Sequence, residues 1–82
     1  MKRIYVKKVK AIQIKYLGAT NSKPSRLKAW TEAGTIVESL DYSVNLWTQA
    51  RNIADRYAAE RQWPQVTGFG VLPNGDYAAT MS

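Results

Sequence analysis

The chain has 82 residues, 45% of them hydrophobic and 22% charged, which suits one small domain with a modest core and excludes wholesale disorder. It has no cysteine and no histidine, so disulfide staples, Cys/His zinc sites, His-ligated haem, thiol chemistry and imidazole acid–base catalysis are excluded. The net charge of +6 is unevenly spread: residues 1–28 carry nine Lys or Arg and no acid, whereas residues 29–82 carry three Arg and six Asp or Glu.

Residues 1–9 read as a basic N-terminal arm, because Lys8 and Lys10 break the alternation begun by Ile4 and Val6. Residues 10–82 read as a single α+β domain. Within it, 10–17 alternates as a half-buried strand, with Ile12, Ile14 and Tyr16 on one face and Gln13 and Lys15 on the other. Gly18 to Ser25 is a loop by composition. Arg26 to Thr31 is a second strand, Leu27 and Ala29 inward and Arg26, Lys28 and Trp30 outward. After a Glu32-Ala33-Gly34 turn, the β-branched stretch Thr35 to Leu40 predicts a third strand, completing an antiparallel meander.

A helix follows with Asn45 as its N-cap. Leu46, Ala50, Ile53, Ala54, Tyr57 and Ala58 recur at helical spacing as one buried stripe. Arg61 is expected in the last turn, opposite the negative end of the helix dipole, and Pro64 blocks continuation. Val66 to Leu72 and Tyr77 to Met81 then form a hairpin across Pro73-Asn74-Gly75-Asp76, a type I turn with a bulge. Gly68 and Gly70 around Phe69 point to a bulge or a close backbone approach. The predicted fold is a small antiparallel sheet in β-β-β-α-β-β order packed by one helix. An edge strand near 77–81, or the arm, is the candidate for pairing between copies.

Ile14-Lys15-Tyr16-Leu17-Gly18-Ala19-Thr20-Asn21 followed by Ser25-Arg26-Leu27-Lys28-Ala29 resembles a family of small uncharacterised phage, plasmid and bacterial proteins. Its members carry Lys-Tyr-Leu-Gly-Pro-Thr-Asn and then Ser-Arg-Ile-Lys-Ala. Asp41-Tyr42, Asn45, Trp63 and Gly68-Phe69-Gly70 stand where the family has a Tyr/Asp pair, an Asn before an Ala-rich helix, a Trp after it and a Gly-rich strand. The resemblance covers roughly residues 10–80. Ala19 replaces the usual Pro, the end has fewer glycines, and the basic arm is longer. The resemblance implies a mobile-element setting and no particular activity.

Four groups of residues are candidates for function. Thr20 to Arg26 could line an anion site, with Asn21, Lys23 and Arg26 as contacts; alternatively Thr20, Asn21 and Ser25 shape the loop through side-chain turns. A P-loop is rejected, because Ser22 stands at its second Gly and Pro24 at its Ser/Thr. Lys15, Arg26, Lys28 and Trp30, with Gln13, form a cationic sheet face carrying one aromatic, the arrangement that tracks and stacks single-stranded nucleic acid; alternatively Trp30 is packed under the arm or against the helix. Glu32, Glu38 and Asp41 read as surface charges rather than an acid–base pair. Trp47 lies off the helical stripe, either as an anchor for a protein partner or stapled back on Tyr42 or Val44.

No catalytic residue, cofactor or metal site is expected. The function read from these residues is that of a non-enzymatic basic accessory protein of a phage or mobile element. It would contact nucleic acid through Lys7, Lys8, Lys10, Lys15, Asn21, Lys23, Arg26, Lys28 and Trp30. The alternative is an inhibitor or adaptor that blocks a host protein, for example a CRISPR or restriction component, through Trp47. Met1-Lys2-Arg3 begins like a signal peptide, but Lys7, Lys8 and Lys10 interrupt the apolar stretch that should follow, and no apolar run of about 18 residues exists. The expected location is the host cytoplasm, without membrane contact.

Overall fold

The computed structural model describes residues 11–81, so the basic arm with its Lys7 and Lys8, and Lys10 after it, lie outside the described residues. Three strands, β1 (Ala11–Leu17), β2 (Arg26–Thr31) and β3 (Gly34–Ser39), precede the helix α1 (Leu46–Glu60), and β4 (Val66–Val71) and β5 (Tyr77–Met81) follow it. The fold is α+β: one five-stranded antiparallel sheet in the order β3-β2-β1-β5-β4, with α1 across one face.

The element order and the meander are as expected, but β5 is not an edge. It pairs with β1 on one side and β4 on the other, which leaves β3 and β4 as the edges. Alternation decides which face each strand buries. Ile12 and Ile14 of β1, Leu27 and Ala29 of β2, and Ala79 and Met81 of β5 meet Ala50, Ile53, Ala54, Tyr57 and Ala58 of the helix. Alanines along the buried stripe let the helix backbone lie close to the sheet. Tyr16 shares the parity of Ile12 and Ile14 yet is 44% exposed, because it lies near the end of β1; its hydroxyl bonds the buried Ser25 hydroxyl at 3.0 Å.

Polar groups lock the helix at both ends. Asn45 accepts the Thr48 N–H at 2.8 Å as N-cap. Gln49, which the apolar stripe does not include, is buried and ties the β3–α1 connection: it accepts the Asp41 N–H at 2.9 Å and donates to the Ser39 carbonyl at 3.1 Å. Arg61 is the C-cap residue rather than a member of the last turn, and its guanidinium lies 3.7 Å from the centre of the Tyr57 ring. The Trp63 N–H reaches the Ala58 carbonyl and the Gln62 N–H the Ala59 carbonyl, a Schellman closure with Gln62 at φ 57° in the position that favours glycine.

Two turns set the ends of the sheet. At the first, Tyr57 of α1 reaches the β2–β3 turn: its hydroxyl accepts the Thr31 N–H at 3.1 Å and donates to the Gly34 carbonyl at 2.7 Å. At the second, the Gly75 N–H meets the Leu72 carbonyl at 2.9 Å, and Gly75 itself takes φ 93°. This matches the expected turn with a bulge. A second bulge interrupts β4 between Val66 and Gly68, where an added Cβ would collide with the Thr80 hydroxyl oxygen. Gly70 faces open space.

Candidate nucleic-acid interface

Because α1 covers one face only, the alternate residues of every strand lie on the other. The register aligns them in rows across that open face. One row runs Ser39, Arg26, Leu17; the next pairs Val37 with Lys28 and Lys28 with Lys15; a third runs Thr35, Trp30, Gln13, Ala78, Gly70. Cations and the indole therefore stand on β1 and β2, while β5 and β4 supply a low floor of Ala78, Thr80, Gly68 and Gly70.

The electrostatics of the cationic half are unbalanced. Lys15 lies directly opposite Lys28 in the β1–β2 ladder, an arrangement that costs stability. The Arg26 Nε is buried and has no hydrogen-bond partner among the described residues. Ion pairs among the described residues are Arg51–Asp55, Arg56–Glu38 and Arg56–Glu60, and none includes Lys15, Arg26 or Lys28. The Lys28 ammonium sits 5.0 Å from the centre of the Trp30 ring. That contact leaves the positive charge of the row uncompensated, since a ring contributes no net charge.

Beside Trp30 the face dips into a cleft of about 360 Å³, lined in part by Ala11, Gln13, Trp30, Glu32, Leu72 and Ala78. The Gln13 amide nitrogen donates to the buried Asp76 carboxylate at 2.9 Å. A carboxylate only accepts, so this bond fixes which way the amide points.

The β1–β2 loop divides by role. The Thr20 N–H meets the Lys23 carbonyl at 2.8 Å while the Thr20 hydroxyl accepts the Lys23 N–H at 3.1 Å. Ser25 is buried, held by Tyr16, and its carbonyl accepts the Leu40 N–H at 3.0 Å. Thr20 and Ser25 thus build the loop, and Asn21 and Lys23 are exposed on it. Asp41 accepts both the hydroxyl and the N–H of Ser43, and Glu38 pairs with Arg56.

Trp47 is 47% exposed. It packs edge-on against Phe69 at 4.8 Å and Tyr77 at 5.8 Å, and those two rings stack at 5.5 Å. Lys15, Arg26, Lys28 and Trp30 are therefore gathered on one face, whereas Trp47 belongs to a separate aromatic cluster where β4 and β5 meet the helix. The sequence marks Gln13 only as an adjunct to the cationic face, through the parity it shares with Lys15, and carries no signal for the role of Asp76. Among the described residues no three potential metal ligands gather, and no helix is long and apolar enough to cross a membrane. No family model, characterised protein or solved structure matches the chain.

Proposed function

We propose that this protein is a non-enzymatic accessory protein of a phage or other mobile element that contacts nucleic acid through its open sheet face and basic N-terminal half. The observation that carries the reading is the Lys15–Lys28 pair, with Arg26 beside it and, among the described residues, no carboxylate in an ion pair with any of the three. Like charges held opposite one another on the face that the helix leaves open are relieved by a polyanion, which replaces repulsion with shared attraction and releases its own counterions. Trp30, at the end of the same row of β2 residues, offers a ring face to a base. Asn21 and Lys23 extend the contact along the loop, and the mobile-element setting rests on the sequence resemblance alone.

The test is anisotropy of labelled single- and double-stranded oligonucleotides across a salt series. Binding at about micromolar Kd or tighter is expected near physiological salt. Replacing Lys15, Lys23, Arg26 and Lys28 by Ala should abolish it, and single replacements should lower the log–log salt slope by about 0.7–0.9 for each phosphate left without its cation. Binding that the fourfold variant leaves intact overturns the proposal.

A second reading, an inhibitor or adaptor docked on a host protein, rests on the half-exposed Trp47 over Phe69 and Tyr77. It predicts that Trp47→Ala weakens partner capture by about 2 kcal/mol or more with little salt dependence.

A further inference from the structure

The open face is divided by charge, and the division matches the two ends of a nucleotide. Lys15 and Lys28 face each other one same-face step, about 7 Å, along the strands from the Gln13–Trp30 pair. At the second position acceptors join the Lys28 ammonium, which reaches the Trp30 ring. Glu32 lines the cleft, and the bond that one N–H of the Gln13 amide gives to Asp76 holds that amide, whose Oε1 has no partner among the described residues. The Ala11 and Ala78 side chains leave room beside the indole, and about 360 Å³ lies at the small end of ligand-sized clefts.

Resting on the nucleic-acid reading above, we infer that the Trp30 cleft takes one unpaired base of a single strand and favours bases with an exocyclic amino group. Lys15 and Lys28 hold the phosphate, the base lies against the Trp30 ring, and the Gln13 Oε1 and the Glu32 carboxylate accept from the amino group. Cytosine and adenine supply that donor; thymine and uracil present a carbonyl oxygen to the same acceptors. A duplex keeps its bases stacked inside, so the cleft engages single strands in preference. Glu32 also disfavours phosphate at this end, which fixes the orientation of the nucleotide on the face.

The probes are short oligothymidylates carrying at the centre a thymine, a cytosine, an adenine or an abasic residue, and a duplex of the same length, each titrated with the full chain. Cytosine and adenine are expected to bind about five- to tenfold tighter than thymine, and the abasic strand weakest. Gln13→Met should bring cytosine and adenine close to the thymine value, and Trp30→Ala should bring all of them to the abasic value. Because the wild-type series alone contains the comparison, a misfolded variant leaves the inference testable. Equal affinity for all four single strands, or tighter binding of the duplex, overturns the inference while the broader reading stands. Absence of binding to every probe overturns both.

Discussion

Lys15 and Lys28 occupy facing positions in the β1–β2 ladder, on the side of the sheet that the helix leaves uncovered. A fold selected for stability alone has no reason to keep two ammonium groups there. Replacing one should separate stability from binding: Lys15→Thr removes the repulsion and places a β-branched residue on an exposed strand. A gain of a few tenths to about 1 kcal/mol is expected in thermal unfolding at low salt. The gain should shrink at high salt, where the repulsion is already screened. Oligonucleotide affinity should fall in the same variant. Lower stability than wild type at low salt would count against an electrostatic conflict at this pair.

Tyr57 joins helix to sheet through its hydroxyl, which serves both the Thr31 N–H and the Gly34 carbonyl. In Tyr57→Phe the ring still fills the core but two backbone groups lose their partner. The expected cost is about 1–3 kcal/mol, which for a domain of this size lowers Tm by about 4–8 °C per kcal/mol. Scanning calorimetry of the two proteins measures it, and an unchanged Tm would show that water replaces the hydroxyl.

Gln62 closes the helix in a left-handed conformation, at φ 57°. Side chains with a Cβ are strained in that conformation and glycine is not. Gln62→Gly should therefore raise stability by about 0.5–1 kcal/mol, part of the gain being offset by the freer unfolded chain. Urea unfolding with an unchanged m-value is the check; a loss would mean that the Gln62 side chain matters more than the backbone geometry.

The Asp41 carboxyl is held below the usual aspartate range, first by the Ser43 hydroxyl and then by the Ser43 N–H, both donating to its charged form. Folding thus favours the ionised group, and its contribution is complete above the unfolded pKa and lost as pH falls through the depressed folded value. Asp41→Ala should flatten the stability profile on the acid side, below about pH 4, and leave its shape near neutrality unchanged. Melting temperatures across the acid range up to neutrality give both profiles; parallel curves for the two proteins would exclude a role for Asp41.

Much of the architecture is written locally. Asn45 is a competent cap, the apolar spacing from Ala50 to Ala58 admits only a helix, and Pro73-Asn74-Gly75 forces a turn; each acts over a few residues, where backbone sterics decide. The outward set Lys15, Arg26, Lys28 and Trp30 is likewise legible, because parity within β1 and β2 fixes their face. Gln49 is not: a glutamine in an apolar stripe reads as exposed until the Asp41 N–H and Ser39 carbonyl are seen to need it.

The sequence by itself determined the elements, the buried stripe, the charge asymmetry and the side of each strand on which the lysines lie. Tertiary structure alone decided that β5 enters between β1 and β4. That pairing sets Ala78 beside Gln13 and Asp76 within reach of its amide, and so creates the cleft next to Trp30. Trp47 meets Phe69 and Tyr77 for the same reason. Alternation tells which face a side chain takes but not which strand will lie beside it, since closing a long loop costs little more than closing a shorter one and leaves partner choice to the packing of the whole core.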